Sequence, residues 1–181
     1  MYGKPEYLPI DETHPTSVLN PYALSKYLAE EACKFYAKNF QVPVSVLRVF
    51  NIYGPGQKST FLIPYVISQI LHSQEVSVLD LSPRRDYLYI FDLIDAIISL
   101  FNCDYEFEIF NIGSGESYSV RELVEILQNL AKTNKIVNSK FEIRTNEIND
   151  VIANTEKLNK LNGWVAKVNI QDGLKKCLES Y

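Results

Sequence analysis

The sequence predicts an α/β protein whose first part is built on a largely parallel sheet. Short segments rich in β-branched residues alternate with longer segments of helical periodicity, an order typical of parallel strands covered by helices. The segment at 44–50 is short, apolar and dense in valine, as a buried strand is. Apolar residues make up 46% of the 181 residues, so the chain can bury a core in one domain or in two small lobes.

The first predicted helix follows a loop rich in proline and acidic residues. Asn20 can cap it and Pro21 can occupy its first turn, and the helix is expected to end near residue 39. Its apolar face is predicted to include Leu24, Leu28, Ala32 and Phe35. The strand at 44–50 comes next, and the Gly-Pro-Gly turn of NIYGPGQ is expected to end it.

The rest of the chain continues this alternation. A helix is expected over 60–73, with Pro64 in its first turn, where a helix tolerates proline. Ser119 and Glu122 have the spacing of a capping box, which predicts the start of a helix that runs to about residue 132. The other expected elements are strands at 76–80, 87–90, 108–113 and FEIR (141–144), and helices at 92–101, from Thr155 to about Asn162, and from Asn169 or Ile170 onward.

The charge balance and the histidines argue against several classes of function. The net charge is −4, the pI is near 5.3, and no dense run of Lys or Arg occurs, so neither nucleic acid nor an anionic membrane is expected as a partner. His14 and His72 lie far from each other and from any cysteine. We therefore expect neither a metal site nor Ser-His catalysis, and we predict that His14 lies in a solvated loop.

The cysteines and the absence of long apolar runs predict a cytoplasmic protein. Cys33, Cys103 and Cys177 are odd in number and show no Cys-x-x-Cys pairing, which suits reduced thiols, and each is expected to be a small core residue. No apolar run approaches the roughly 18 residues that span a bilayer, and the start MYGKPEYLPIDE lacks the hydrophobic core of a signal.

Tyr22 and Lys26 lie one helical turn apart at the start of the first helix. Two interpretations are open: the pair is catalytic, or Tyr22 packs against its neighbours and Lys26 pairs with Glu30. The spacing alone does not decide between them, because a chain with twelve tyrosines contains roughly one Tyr-x-x-x-Lys by chance. The meaning of the pair therefore depends on the rest of the sequence.

Seven sequence blocks in a fixed order extend this motif over nearly the whole chain. They are YG (2–3), NPYALSK (20–26), RVFNIYGPGQ (48–57), FLIPYV (61–66), RRDYLYIFDLIDAI (84–97), FNIGSGESYSVRELV (110–124) and NDVIANTEKLNKLNGW (149–164). In these blocks the chain resembles the extended short-chain dehydrogenase/reductase family, specifically its NAD-dependent nucleotide-sugar epimerases and dehydratases of the UDP-glucose 4-epimerase type.

This resemblance implies the C-terminal part of a doubly wound Rossmann-type parallel sheet plus a small α/β substrate-binding lobe. In that family a Gly-rich loop that binds NAD precedes the YG block, and no Gly-x-x-Gly-x-x-Gly occurs here, so the chain is expected to be a C-terminal portion. The implied division is a remnant of the NAD-binding domain with the catalytic helix at 1–56, substrate-binding lobe at 57–82, a return segment of the Rossmann domain at 83–112, and substrate-binding lobe again at 113–181.

By the same resemblance, Tyr22 is the base that deprotonates a sugar hydroxyl, Lys26 holds the nicotinamide ribose, and Phe50 also contacts the cofactor, NAD. A free phenol titrates near 10, so bringing one to about 7 requires roughly 4 kcal/mol of phenolate stabilisation, of which an exposed cation supplies under about 1 kcal/mol. The positive nicotinium ring is expected to supply the remainder. We therefore expect little activity from the 181-residue chain by itself.

The resemblance assigns Asn51, Leu62, Arg85 and Asp150 to the nucleotide-sugar. Arg85 is expected to grip the diphosphate, because a guanidinium can bind two phosphate oxygens, and its alternative is a surface pair with Asp86. The alternative for Asn51 is a turn-forming side chain. Arg84 is predicted to face solvent.

Two departures from the family pattern leave the substrate undefined. The family's Arg-Pro-Gly-Asp reads Glu147-Ile-Asn-Asp150 here, so the second phosphate arginine is missing, and Arg144 is a candidate to replace it. Phe61 stands where galactose-type epimerases commonly carry Asn. We expect turns to be the role of Gly54, Gly56, Gly113 and Gly115, and packing to be the role of Tyr53 and Trp164.

Two functions of different classes are compatible with these residues. The first is NAD-dependent epimerisation or dehydration of a nucleotide-diphosphate sugar through a keto-sugar intermediate. The second is a non-catalytic module that binds a nucleotide-sugar or a partner chain. In the family the helix at 21–39 packs in the dimer interface, so a homodimer through it is expected, and we expect an uncovered apolar face on this helix and a bare edge on the strand at 44–50.

Overall fold

The computed structural model describes residues 1–101, 103–140 and 148–181. The helices are α1 (Pro21–Phe40), α2 (Leu62–His72), α3 (Ile90–Ser99), α4 (Val120–Leu130), α5 (Glu156–Asn162) and α6 (Ile170–Glu179). The strands are β1 (Val44–Val49), β2 (Asn51–Tyr53), β3 (Glu75–Val78), β4 (Arg84–Tyr89), β5 (Phe107–Ile112), β6 (Ser117–Ser119) and β7 (Ile136–Ser139). The predicted strand FEIR lies outside the described residues. Helices and strands alternate, which confirms the α/β class.

The pairing between strands is mostly parallel. β1 pairs with β5, β2 with β4, and β3 with β7, all in parallel. Parallel neighbours require long crossovers, and the chain between β1 and β5 passes through α2 and α3. β4 also pairs with β6, in antiparallel orientation. Among the strands that the structure describes, β5 is the one partner of β1, so one edge of β1 is bare within these residues.

One residue separates β1 from β2, and the chain changes its partner strand there. The Phe50 N–H still donates to the Ile112 carbonyl of β5 at 2.9 Å, whereas Asn51 is already paired with Tyr87 of β4. The prediction that a Gly-Pro-Gly turn ends the strand at 50 is therefore wrong. The turn follows β2, where Gly56 has a φ of 78°. A three-residue strand is too short to show an alternation in the sequence.

The helix ends follow the predicted capping signals. The Asn20 side chain accepts a hydrogen bond from the Ala23 N–H at 2.8 Å at the start of α1. Ser119 and Glu122 form both hydrogen bonds of a capping box at the start of α4. Pro64 lies in the first turn of α2. A side-chain cap of this kind typically stabilises a helix by about 1 kcal/mol.

The predicted apolar face of α1 does not face the core of this chain. Its residues, all of them exposed, are Leu24, Leu28, Ala32 and Phe35. The buried residues of α1 are instead Ala23, Glu30 and Ala37. This second stripe packs against β1 and β5. The expectation of an uncovered apolar face on this helix is therefore confirmed within the described residues, and a different stripe of the helix meets the core.

Two buried clusters form the core. One lies among α2, α4, α6 and β3 and contains Tyr53 and Leu127. The other lies around α3, β5 and α5 and contains Phe110 and Trp164. Burying one large apolar side chain stabilises a fold by about 1.5–3 kcal/mol. Tyr53 and Trp164 therefore have the packing role expected of them.

The segment before α1 folds back onto the body of the protein. Ile10 is buried, and its N–H donates to the Ile152 carbonyl at 2.8 Å. His14 is only 3% exposed, so the prediction of a solvated loop is wrong. Its Nε2 accepts a hydrogen bond from the Glu6 N–H at 2.9 Å, and its ring contacts that of Tyr7. This burial depends on distant segments, which the local composition of a loop does not show.

The cysteines are free thiols, and their burial differs. Cys177 is buried in the core, as predicted, and burial raises the pKa of its thiol to about 11. Cys103 is half-buried and packs against the second core cluster, whereas Cys33 is half-buried on α1, so the prediction of a core position is wrong for Cys33. In the parts of the chain that the structure describes, no helix is both long enough and apolar enough to cross a membrane.

Candidate functional site

A cleft of about 720 Å³ lies where β2, β4, the start of α2 and the end of β3 meet. Its wall includes Asn51, Phe61, Leu62, Val78, Arg85 and Tyr87. Asn51 follows the carboxyl end of β1, the edge at which α/β sheets bind ligands. Clefts of several hundred cubic ångströms, apolar with a few polar groups, are typical of small-molecule sites.

Asn51, Leu62 and Arg85, which the sequence assigned to one site, line this cleft together. Each is near the start of a different element: β2, α2 and β4. The Arg85 side chain is held in place, because its Nη1 donates to the Arg84 carbonyl at 2.7 Å and to the Ile148 carbonyl at 2.6 Å. The second of these bonds ties the cleft to the chain that leads to Asp150.

Asp86 is fully buried and fastens the loop after β5 to β4. Its Oδ1 accepts hydrogen bonds from the N–H and the hydroxyl of Ser114, both at 2.7 Å. Its Oδ2 accepts from the N–H groups of Gly115 and Ala153, both at 3.0 Å. Burial raises the pKa of Asp86, and these hydrogen bonds oppose the rise. The alternative of a surface pair between Arg85 and Asp86 is therefore wrong, since Asp86 is inside the fold.

The four glycines near the cleft serve two purposes. The turn role is confirmed for Gly56 and Gly115, which have φ of 78° and 80°. Gly113 instead allows close packing, because a Cβ there would meet Asp86, and a Cβ at Gly54 would meet Ile90. Both also lie where the chain turns, since the Gly54 carbonyl accepts a hydrogen bond from the Gln57 N–H at 3.4 Å and the chain bends at Gly113.

Arg84, which was predicted to face solvent, is partly exposed and also forms several contacts. Its Nη1 lies 2.8 Å from a Glu122 carboxylate oxygen, and its Nη2 donates to the Ser117 carbonyl at 2.7 Å. Its Nε is 3.9 Å from Asp150 Oδ2. The strand was predicted to begin at 87 but begins at 84, and side chains alternate along a strand. Arg84 and Arg85 therefore point to opposite faces, and only Arg85 lines the cleft.

Asp150 lies beside the cleft rather than in its wall. Its Oδ1 is buried and has no hydrogen-bond partner among the residues described. A buried acceptor without a donor lowers the free energy of unfolding by about 1–3 kcal/mol, so a hydrogen bond donated to this oxygen would be favourable. Arg144 and Glu147, which the sequence placed near Asp150, lie outside the described residues.

Tyr22 and Lys26 are in contact on an exposed part of α1. Tyr22 is 72% exposed, and Lys26 Nζ lies 5.4 Å from the centroid of the Tyr22 ring, a cation–π distance. The alternative pairing of Lys26 with Glu30 is not formed, because the two Glu30 oxygens bind Arg48 at 2.9 and 2.8 Å. Neither Tyr22 nor Lys26 lines the cleft. The structure thus brings this pair together but separates it from the cleft wall.

The residues predicted to hold a cofactor fit one end of a dinucleotide. The Tyr22 hydroxyl and the Lys26 ammonium are exposed hydrogen-bonding groups one turn apart, suited to ribose hydroxyls. Phe50 is half-buried at the carboxyl end of β1. The sequence has no Gly-rich turn that could receive a pyrophosphate. In the described ranges no group of three or more His, Cys, Asp or Glu could hold a metal ion.

The sequence reasoning missed several polar residues of the cleft wall. They are Ser59, Thr60, Asp80 and Lys140. Lys140 follows β7, and its N–H donates to the Val78 carbonyl at 3.1 Å. No local signal places Lys140 here, because β7 meets β3 across about sixty residues of chain. The Ser-Thr pair before α2 was an available signal for a polar loop at the mouth of the cleft.

The chain matches a known family over most of its length. A family model described as GDP-mannose 4,6 dehydratase matches residues 1–177. A putative UDP-glucose 4-epimerase of Methanocaldococcus jannaschii is 32% identical, over 97% of this chain and 58% of that protein. The dTDP-D-glucose 4,6-dehydratase of Homo sapiens is 32% identical, over 100% of this chain and 53% of that protein. The chain thus spans a little over half the length of these relatives.

Solved structures match the fold closely. RMD from Pseudomonas aeruginosa, complexed with NADPH, is 30% identical with a TM-score of 0.92, over 99% of this chain and 62% of that one. A UDP-glucose 4-epimerase from Thermotoga maritima with UDP-glucose is 28% identical with a TM-score of 0.92, over 99% and 59%. The agreement confirms the Rossmann-type α/β architecture expected from the sequence blocks.

Proposed function

The chain belongs to the GDP-mannose 4,6-dehydratase family of NAD-dependent nucleotide-sugar epimerases and dehydratases, and from this membership we propose that it supplies a catalytic helix and a nucleotide-sugar site. The reaction is epimerisation or dehydration of a nucleotide-diphosphate sugar through a keto-sugar intermediate. Relatives are named for UDP-glucose and dTDP-glucose, so hexoses carried on a nucleoside diphosphate are the proposed substrate class.

The joint placement of Asn51, Leu62 and Arg85 in one cleft is the observation that supports this proposal most. The Arg85 guanidinium, held from behind by two carbonyls, binds the diphosphate. The Asn51 amide hydrogen-bonds the sugar, and Leu62 forms an apolar wall. Asp150, whose Oδ1 lacks a donor within the described chain, accepts from a hydroxyl of the nucleotide.

Tyr22 and Lys26 perform the proposed proton transfer. Tyr22, as the phenolate, takes the proton of a sugar hydroxyl while the hydrogen on the adjoining carbon leaves as hydride. NAD, when bound, takes up that hydride and later returns it. The charge of Lys26 favours the phenolate and its N–H groups hold the ribose, while Phe50 lies against the cofactor. Return of the hydride to the keto carbon from the other face of the sugar would give the epimer, and loss of water from the keto-sugar followed by return of the hydride to the dehydrated sugar would give the dehydration product.

The proposed division of labour follows the strand pairing. We assign 1–56 and 83–112 to the cofactor side, which the parallel pairing of β1 with β5 supports. We assign 57–82 and 113–181 to the substrate side, which the parallel pairing of β3 with β7 supports. Since no Gly-rich turn is present, we expect these 181 residues alone to bind the nucleotide-sugar better than NAD and to turn over little substrate.

A second candidate function, binding a partner chain, is favoured by the exposed apolar stripe of α1. The partner proposed is a second copy, which gives a homodimer through α1. No role for nucleic acid or a membrane is proposed at a net charge of −4. The free thiols favour the cytoplasm as the location.

Calorimetric titration of the purified chain with UDP-glucose, dTDP-glucose, GDP-mannose and NAD tests the enzyme proposal. We expect one of the nucleotide-sugars to bind, and we expect Arg85→Met to weaken that binding by roughly tenfold or more, because a charge-assisted hydrogen bond contributes about 1.5–3 kcal/mol. The matched control is Arg121→Met, an exposed arginine of α4 that does not line the cleft.

The titration, together with a turnover assay, separates four outcomes. Binding of no nucleotide-sugar contradicts the proposed function. An equal loss in both arginine variants contradicts the assignment of Arg85. Tight binding of NAD, in the micromolar range, contradicts the expectation of a partial cofactor site. Nucleotide-sugar binding without turnover, even after addition of NAD, supports the non-catalytic alternative for this chain.

A further inference from the structure

Three residues of α1 follow one another at four-residue intervals: Tyr22, Lys26 and Glu30. Residues at this spacing lie along one stripe of a helix and are neighbours. The Lys26 ammonium therefore has two possible partners, the Tyr22 ring one turn before it and the Glu30 carboxylate one turn after it. In the structure Lys26 contacts Tyr22, and among the described residues it forms no ion pair.

Arg48 removes Glu30 from this competition. From β1, Arg48 Nε and Nη2 bind the two Glu30 oxygens at 2.9 and 2.8 Å, and both side chains are only 11% exposed. A bidentate ion pair that is largely buried between α1 and β1 is stronger than an exposed ion pair on a helix surface, which contributes about 0.3–0.5 kcal/mol. Glu30 consequently stays against β1, although its spacing from Lys26 is that of a helical ion pair.

A second contact fixes Arg48 itself. Its Nη1 donates to the Tyr2 hydroxyl at 3.0 Å, that hydroxyl donates to Asn111 Oδ1 at 2.6 Å, and the guanidinium lies 4.9 Å from the Tyr2 ring centroid. Burial by itself lowers the pKa of Arg48, but the bonds with Glu30 and Tyr2 raise it overall, so the cation is retained. The Met1 amine is close enough for the charges of Arg48 and Glu30 to act on it.

We propose that Arg48 is a positioning residue for the Tyr22–Lys26 pair: it holds both oxygens of Glu30 and so leaves the Lys26 ammonium beside the phenol. No contact between Arg48 and Tyr22 is required. The importance of this arrangement rests on the proposed function, in which Tyr22 is the base. The arrangement itself is a property of α1 and β1 and is measurable without substrate or cofactor.

Nuclear magnetic resonance of protein labelled with ¹³Cζ-tyrosine tests the proposal. The Tyr22 resonance is assigned by its loss in Tyr22→Phe, and its titration midpoint is compared between variants. Arg48→Met releases Glu30 toward Lys26, so the midpoint is expected to rise by about 0.2–0.4 pH units. In Arg48→Met combined with Glu30→Gln no competitor is left, and the midpoint returns to that of the unsubstituted chain.

A background of Lys26→Met distinguishes positioning from a direct effect of charge. Tyr22 and Glu30 are eight residues apart, about 12 Å along the helix, which exceeds the Debye length of about 8 Å at physiological salt. In this background Arg48→Met is therefore expected to leave the midpoint unchanged. A rise that persists there overturns the proposal, as does an unchanged midpoint in Arg48→Met alone. Arg121→Met serves as the matched control and leaves the midpoint unchanged.

The remaining variants keep the test decisive. Arg48→Met leaves Glu30 without its partner, which destabilises a buried pair by about 3–5 kcal/mol. If that variant does not fold, Arg48→Lys replaces it, because lysine holds Glu30 less completely than arginine does. A smaller rise of the Tyr22 midpoint that vanishes with Glu30→Gln supports the proposal. No rise of the midpoint overturns it. A chain that binds no nucleotide-sugar contradicts the proposed function while the titration comparison stays valid, so the two failures are distinguishable.

Discussion

At the scale of single residues, Gly173 shows how an absent side chain determines the fit between two elements. Gly173 lies in the middle of α6, where glycine is less favourable than alanine by about 1 kcal/mol. A Cβ at this position would meet the hydroxyl of Tyr53. That hydroxyl is buried without a hydrogen-bond partner in the described parts of the chain. The glycine therefore compensates for a tyrosine 120 positions earlier.

The effect of Gly173→Ala is expected to change sign with the residue at 53. With Tyr53 present, overpacking should outweigh helix propensity and lower the free energy of unfolding by about 1–2 kcal/mol. In a Tyr53→Leu background the hydroxyl and the ring carbons that a Cβ would meet are gone, and the same substitution should stabilise the chain by up to about 1 kcal/mol. Urea unfolding of the four chains measures both values, with Lys175→Ala, exposed on α6, as the control. The same sign in both backgrounds would contradict this account.

At the scale of elements, the start of α4 concentrates several contacts on one carboxylate. Glu122 Oε2 accepts from the Ser119 N–H at 2.7 Å, from the Ser119 hydroxyl at 2.8 Å and from Arg84 at 2.8 Å. These contacts, with the Ser119 N–H first, lower the pKa of Glu122 below its ordinary value. The side chain is 42% exposed, so solvent screening keeps the contribution to stability below about 1 kcal/mol.

This lowered pKa predicts how the contribution of the cap depends on pH. A carboxyl with a lowered folded pKa stabilises the fold above the unfolded value of 4.5, and the contribution is lost as the pH falls through the folded pKa. Glu122→Gln should therefore be less stable than the unsubstituted chain near neutral pH and nearly equal to it at about pH 3. Urea unfolding across that range measures the difference. Glu125→Gln, on an exposed part of α4, should show no such pH dependence.

Elements with a local signal were predictable from the sequence, and those with only distant partners were not. Asn20 with Pro21, and Ser119 with Glu122, mark helix starts through bonds made within one turn, and the structure has both. β2, β6 and β7 are three or four residues long and exist because of partners far along the chain. His14 and the Arg48–Glu30 pair were missed for the same reason.

The candidate site was predictable to the same degree. The sequence blocks located Asn51, Leu62 and Arg85, which the structure brings into one cleft. They did not reveal that Arg84 ties β4 to α4, because the true start of β4 follows from its pairing with β6. Nor did they reveal Lys140, which reaches the cleft through the pairing of β3 with β7.

At the scale of the whole molecule, α1 exposes apolar side chains along its whole length. Its exposed large side chains are Tyr22, Leu24, Leu28, Phe35, Tyr36 and Phe40. Singly exposed apolar residues are ordinary, but a contiguous set along one helix is typical of an interaction surface. α1 packs against β1, the strand that has a bare edge within the described residues.

Substitution within this stripe tests the proposed homodimer. Leu28→Glu should convert the purified chain from a dimer to a monomer of 20.8 kDa, because a carboxylate would be buried without a partner at the interface. Light scattering after size-exclusion chromatography measures the mass. Leu161→Glu, at an exposed apolar residue of α5, should leave the dimer intact. A monomer in the unsubstituted chain would refute dimerisation through α1.

The single residue between β1 and β2 has a consequence for changes of chain length. Because consecutive strand side chains point to opposite faces, one inserted residue at Phe50 would turn Asn51 away from the cleft or shift β1 against β5. The loop from Gly54 to Phe61, by contrast, can absorb extra residues without moving either strand. Inserted residues near this site are therefore expected to be tolerated in the loop and not between Val49 and Asn51.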